Sequence, residues 1–157
     1  MQSEEALVDN HQRPLANLIT LGARNVATLR DFYQRLGWPL LIDDGDFAAF
    51  ELRGAILALF PQDKLAADGR EKAEPRQGGI RFTIGIMVES REDVDHLAQL
   101  VQESGGRLSK EPTDAEFFEG RSAYFADPEN NYWEIAWAPL PNQVAAAARR
   151  AAGITSL

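Results

Sequence analysis

The carboxylate of Glu134 is the side chain in this sequence whose surroundings most suggest chemistry. It lies in an aromatic, strand-like stretch, where alternation puts it on one face and Trp133 and Ile135 on the other. A carboxylate among aromatic side chains costs free energy unless it faces water, a partner or an ion. Glu134 could therefore be a catalytic base in an apolar pocket, or could orient a cationic or hydroxylated ligand. It could also form an internal salt bridge with Arg81 or Arg121.

Other reactive side chains are scarce. The sequence contains no cysteine, which excludes thiol nucleophiles, zinc fingers and disulfides. Of its two histidines, His11 lies in a polar N-terminal tail and His96 lies beside the apolar stripe of a predicted helix. We expect neither to be a metal ligand or a base, so a Ser-His-Asp triad has no histidine to support it.

Length and charge narrow the class of protein. The 157 residues suit one compact domain or two small modules that share a core. The formal net charge of −8 argues against nucleic acid and anionic membranes as partners. Apolar runs are far shorter than the roughly 20 residues that span a bilayer, and no secretory signal is visible. We therefore expect a cytoplasmic protein.

The first half of the chain predicts a strand, a helix and three further strands. Asn25 caps a helix over residues 26–36 whose apolar positions follow helical spacing, and Gly37 ends it. The predicted strands cover residues 17–23, 40–43, 47–52 and 55–60.

The second half repeats this order. Ser90 caps a helix over residues 92–103, and the turn from Asp127 to Asn131 joins the last two strands. The predicted strands cover residues 80–88, 107–111, 121–126 and 131–137. We accordingly divide the chain into a tail (1–15), a first βαβββ module (16–60), a linker (61–79) that includes a helical turn, a second module (80–138) and a C-terminal tail with a helix (139–157).

Two motifs within this pattern resemble a known family. They are Arg30-Asp-Phe-Tyr-Gln-Arg-Leu-Gly-Trp38 and Tyr124-Phe-Ala-Asp-Pro-Glu-Asn-Asn-Tyr-Trp-Glu134. Together with the repeated element order, they resemble the vicinal oxygen chelate superfamily of glyoxalase I, bleomycin-resistance proteins and extradiol dioxygenases. The resemblance covers about residues 16–138. It implies an α+β fold of two βαβββ modules in a pseudo-twofold arrangement around a cleft, commonly in a homodimer.

The resemblance also indicates where metal-dependent members hold their ion. The matching positions in this sequence are Leu18, Ala58, Thr83 and Glu134. A divalent transition metal needs about three or four nitrogen, oxygen or sulfur donors, and Glu134 alone is a plausible one. We therefore expect a site without a metal or other cofactor.

Strand alternation around these positions predicts an apolar cleft with few polar groups. Such a cleft suits a small, partly aromatic molecule. Its expected neighbours include Ile56, Gly85 and Ala136, and a loop carrying Phe117, Phe118 and Arg121 could close over it. The two phenylalanines could equally pack at a module or dimer interface. The predicted ligand-binding residues are Thr20, Phe60, Arg81, Thr83, Phe117, Phe118, Arg121, Tyr132 and Glu134.

Three functions are compatible with this cleft. The first is binding of a small organic molecule by a metal-free homodimer, as in bleomycin-resistance-type sequestration. The second is a lyase, isomerase or dioxygenase that depends on a metal or uses Glu134 as its base. The third is a structural or regulatory dimer whose cleft is filled by its own side chains.

Overall fold

The computed structural model describes residues 13–75 and 78–154, so His11 and most of the predicted N-terminal tail lie outside the described residues. The helices are α1 (Val26–Arg35), α2 (Gln62–Asp68), α3 (Arg91–Glu103) and α4 (Gln143–Ala151). The strands are β1 (Leu18–Ala23), β2 (Leu40–Asp43), β3 (Ala48–Leu52), β4 (Ala55–Pro61), β5 (Ile84–Met87), β6 (Arg107–Asp114), β7 (Arg121–Ala126) and β8 (Tyr132–Trp137).

The strands form two four-stranded sheets with the same topology. Their orders are β1-β4-β3-β2 and β5-β8-β7-β6. In each sheet the first pair, β1 with β4 and β5 with β8, is parallel and the remaining pairs are antiparallel. The predicted α+β fold of two βαβββ modules is therefore confirmed. The two sheets stay separate and do not close into a barrel.

Both long helices are capped by the residues that the sequence predicts, and α3 begins at Arg91, one residue before its predicted start. The side chain of Asn25 accepts a hydrogen bond from the Thr28 amide at 3.0 Å, and Ser90 Oγ accepts one from the Asp93 amide at 3.1 Å. These caps satisfy amide groups that have no partner within the helix. Gly37, just beyond α1, has a φ of +85°, a conformation that glycine adopts without steric cost.

The helix-covered faces of the two sheets share one hydrophobic core. Phe32 of α1 lies 6.4 Å from Phe125 of β7, measured between ring centroids, and Tyr33 lies 5.8 Å from Trp133 of β8. All four rings are fully or almost fully buried. A side chain built at Gly106 would come within 2.5 Å of Val101 and 3.0 Å of Phe32, so the modules approach closely there.

One buried hydroxyl joins the two sequence motifs across this core. The Tyr33 hydroxyl donates to Asp127 Oδ2 at 2.6 Å and accepts from Trp133 Nε1 at 3.1 Å. Asp127 also accepts from the amides of Glu129 and Asn131, so it holds its own turn and the helix of the other module. The Arg30–Trp38 motif thus docks on the hairpin that ends in Glu134.

Several helices and strands begin or end at other residues than those predicted from the sequence. Strand β5 covers only four residues instead of the predicted 80–88. In its parallel register with β8, residues 80–82 would lie opposite the turn that precedes Tyr132, where β8 has not yet begun. The predicted helical turn in the linker is a seven-residue helix, α2, and β6 extends to Asp114. Among the described residues, no helix is both long and apolar enough to cross a membrane.

The substitution Tyr33→Phe tests the hydroxyl contact. It removes both hydrogen bonds of the hydroxyl and leaves buried Trp133 Nε1 without its acceptor. We expect the free energy of unfolding in urea to fall by about 1–3 kcal/mol. The control Tyr132→Phe removes a weaker 3.3 Å contact with Arg107 at the surface, and should change stability by less than about 0.5 kcal/mol. Equal losses in the two variants would contradict this account.

Candidate functional site

The open face of the second sheet carries a row of four residues, one from each strand. Glu134 of β8 lies opposite Gly85 of β5 on one side and Tyr124 of β7 on the other. Tyr124 in turn lies opposite Lys110 of β6. We call these four residues the polar row. Glu134, Tyr124 and Lys110 are half-buried, and Gly85 is exposed.

Glu134 is held by a tyrosine and not by an arginine. Its Oε2 atom accepts a hydrogen bond from the Tyr124 hydroxyl at 2.8 Å. The alternative of a salt bridge with Arg81 or Arg121 is not realised: among the described residues neither arginine pairs with Glu134, and Arg121 binds Asp95 of α3 through contacts of 2.7 and 2.8 Å. Burial, with the hydrogen bond and charge of Glu134, raises the pKa of Tyr124 to about 12. The phenol is therefore a stable donor at neutral pH.

Lys110 is a site residue that strand alternation misses. Its Nζ atom lies 2.6 Å from Ser122 Oγ and 5.0 Å from the centre of the Tyr124 ring. Leu108 pairs with Phe125 and packs against the core, so simple alternation would place Lys110 on the core side as well. A shift of register between Leu108 and Lys110 turns Lys110 to the open face instead. No feature of the sequence signals this bulge.

A cavity of about 800 Å³ brings together Thr20, Arg81 and Tyr132, all predicted to bind ligand. It is bounded by β1, α2, the segment before β5 and the turn before β8. Tyr132 and Glu134 are two residues apart on one face of β8, so the cavity adjoins the polar row.

The other predicted ligand-binding residues do not line this cavity. Phe60 packs against Phe47 on the first sheet, with ring centroids 6.1 Å apart. Phe117 is 91% exposed, and the Phe118 ring lies beside Gly120. Thr83 precedes β5, and Gly85 takes the place opposite Glu134.

Arg121 does not lie in the predicted cleft, because its side chain is on the other face of β7. It shares the helix side of β7 with Ala123 and Phe125, both fully buried, whereas Ser122 and Tyr124 occupy the open side. Its pairing with Asp95 lowers the pKa of that carboxyl and fixes β7 to α3. Arg121 therefore joins strand β7 to helix α3 and does not serve as a ligand-binding residue.

The side chains at the four metal-related positions do not fit a divalent ion. Leu18 and Ala58 offer only hydrocarbon, and Leu18 is 66% exposed. Thr83 contributes a hydroxyl, and Glu134 is already hydrogen-bonded to Tyr124. Nowhere in the described ranges do three histidine or acidic side chains cluster so that they could hold a metal.

Comparison with known proteins identifies the family pattern. The sequence profile of the Glyoxalase/Bleomycin resistance protein/Dioxygenase superfamily matches residues 16–135. Comparison with functionally curated proteins gives no match.

Solved structures with the same fold come from several bacteria. A glyoxalase-related enzyme from Fulvimarina pelagi is 25% identical, with a TM-score of 0.71 over 80% of this chain and 88% of that chain. A glyoxalase/bleomycin resistance protein/dioxygenase from Nocardioides is 22% identical, with a TM-score of 0.70 over 89% and 96%. A genomically encoded fosfomycin resistance protein from Listeria monocytogenes is 22% identical, with a TM-score of 0.62 over 82% and 95%. At these identities the likeness establishes the fold and not the reaction.

Titration of Tyr124 tests the contact with Glu134. The ultraviolet difference between wild type and Tyr124→Phe should show a phenol that ionises near pH 12. Glu134→Gln should lower that pKa in part, because it removes the charge of Glu134 while burial, the largest cause, remains. The pKa of Tyr124 in the folded protein lies above its value in the unfolded chain. The contribution of this phenol to the free energy of unfolding is therefore complete below about pH 10 and is lost as the pH rises to about 12. An unchanged pKa in Glu134→Gln would show that the carboxylate does not contribute.

Proposed function

This chain belongs to the Glyoxalase/Bleomycin resistance protein/Dioxygenase superfamily, and we propose that it binds a small organic molecule without a metal ion. The ligand would occupy the cavity beside Thr20, Arg81 and Tyr132 and extend toward Glu134. The observation that carries this proposal is the cavity itself. Its volume of about 800 Å³ falls within the range of roughly 300–1,000 Å³ that is usual for small-molecule sites.

The side chains at the metal-related positions and in the cavity support binding over metal-dependent catalysis. Hydrocarbon side chains at Leu18 and Ala58 replace donors that an ion would need. The cavity combines the apolar side chains of Leu65 and Phe82 with hydrogen-bonding groups, a mixture that suits an organic ligand. The family description names bleomycin resistance proteins, and a fosfomycin resistance protein has a similar fold, so we propose a resistance-type role, with sequestration of the ligand as its mode.

An enzyme that uses Glu134 as its base is the second candidate. The observation in its favour is that Glu134 is half-buried on the open face and oriented by the Tyr124 hydroxyl. A positioned carboxylate of this kind could take a proton from a bound substrate. In that case Glu134→Gln would abolish turnover and leave folding intact, whereas in a binding protein it would alter affinity alone.

A thermal-shift scan tests the binding proposal. Chelator-treated protein is heated with Mn, Fe, Co, Ni, Zn or Mg ions, and separately with a panel of small organic molecules. We expect no stabilisation by the ions and a clear rise in Tm with a subset of the organic molecules. A ligand at about 100 times its Kd adds roughly 2.7 kcal/mol of stability.

Two variants assign that rise to the cavity. Tyr132→Ala removes a ring from the lining and should weaken binding, whereas Phe117→Ala, at a 91% exposed position outside the lining, should not. A rise with one metal ion that Glu134→Ala abolishes would replace the proposal with a metalloenzyme. Absence of any organic ligand would support the purely structural role.

We also propose that the chain acts as a cytoplasmic homodimer. The large apolar side chains of Leu18 and Ile42, on the two edge strands of the first sheet, are 66% and 45% exposed and are our candidates for the interface. Light scattering should give twice the mass of the chain. Leu18→Asp should shift the protein toward monomer, while Val144→Asp, at a 70% exposed position on α4, should not. A monomeric wild-type protein would refute the dimer.

A further inference from the structure

The polar row holds two half-buried charges that have no ion-pair partner within the described residues. Glu134 accepts from the neutral Tyr124 hydroxyl, and Lys110 contacts the neutral Ser122 hydroxyl and the Tyr124 ring. The half-buried cation Arg121, by contrast, binds Asp95 in a salt bridge of 2.7 Å. The row therefore differs from the ion pairs elsewhere in the fold.

Both charged groups retain hydrogen-bonding capacity. A carboxylate can accept about four hydrogen bonds and an ammonium group can donate three. Glu134 Oε1 makes no hydrogen bond to any described residue, since Tyr124 binds only Oε2. Within the described part of the chain, Lys110 donates to Ser122 alone. Partly desolvated charges with unused capacity gain most from a partner that supplies the opposite charge.

The spacing of the strands separates the two charges. Glu134 and Lys110 lie on β8 and β6, with β7 between them, so their Cα atoms are about 10 Å apart at roughly 4.8 Å per strand. The Tyr124 side chain fills the space between them. Beyond Glu134, nothing lies within 4 Å of the position that a Cβ atom would take at Gly85, so that end of the row is open.

We infer that the polar row recognises a small zwitterionic molecule, with a protonated amine at Glu134, a compact anionic group at Lys110 and a short apolar body spanning Tyr124. The inference rests on the proposed function and extends its site, because none of the four residues of the row lines the cavity. It gives a chemical class to the part of the ligand that lies beyond the cavity, from Glu134 onward. The ammonium group of the ligand would bind Glu134 Oε1. Its anionic group would bind the free protons of Lys110 Nζ, beside Ser122.

Four probes built on one benzene ring test the inference by isothermal titration calorimetry. They are 4-(aminomethyl)benzoate, which carries both charges, 4-methylbenzoate, benzylamine and terephthalate. We expect the zwitterion to bind roughly 10- to 100-fold more tightly than either singly charged probe, as charge-assisted hydrogen bonds require. Terephthalate should bind no better than 4-methylbenzoate, because its second carboxylate faces Glu134.

Two substitutions separate the contributions of the charges. Lys110→Met should reduce the affinity for the zwitterion to that of benzylamine and leave benzylamine unchanged. Glu134→Gln should reduce it to that of 4-methylbenzoate and leave 4-methylbenzoate unchanged. Lys64→Met is the matched control, because Lys64 pairs with Asp46 at the surface outside the row. Thermal unfolding of each variant checks that it folds.

The outcomes distinguish this inference from the proposed function. Equal binding of the zwitterion and one singly charged probe would overturn the inference and leave small-molecule binding intact. The inference also fails, and small-molecule binding stands, if all four probes fail while a molecule from the wider panel binds and Tyr132→Ala weakens it. If neither the probes nor the panel bind, both proposals fail.

Discussion

The rest of the structure depends on the buried contact between Tyr33, Asp127 and Trp133. The hydroxyl of Tyr33, on α1 of the first module, donates to the carboxylate of Asp127 in the second module. It also accepts from the indole of Trp133. The carboxylate of Glu129, in the same turn, accepts from the amides of Arg24 and Asn25 ahead of α1. Burial raises the pKa of both Tyr33 and Asp127. The turn and the helix therefore fix each other, and the modules cannot separate without exposing a desolvated polar cluster.

This contact also decides where the chemistry lies. The side chains of Trp133 and Ile135 lie in the core. Because successive side chains of a strand point to opposite faces, Glu134 lies on the other face of β8. Tyr124, one strand away, is placed on that face by the same constraint through Phe125. The covered side of the sheet thus receives the aromatic side chains that stabilise the fold, and the uncovered side receives groups able to meet a ligand.

The chain keeps the fold of its family and changes the side chains in the cleft. Leu18 and Ala58 belong to paired strands, so their hydrocarbon side chains are compatible with the architecture. Stability in this fold comes from the shared core, which lies on the opposite side of the sheets. Leu18, Ala58 and Glu134 are not part of that core, and one fold can carry different chemistries in its cleft.

Local patterns in the sequence determined the element order, both helix caps, the hairpin around Asp127 and the face that carries Glu134. Each depends on neighbours within a few residues, through capping, turn geometry or strand alternation. Only the tertiary structure decided that Tyr33 binds Asp127, that Arg121 belongs to α3, and that a bulge brings Lys110 beside Tyr124. These features depend on contacts between distant segments and on a one-residue change of register, which local patterns do not encode.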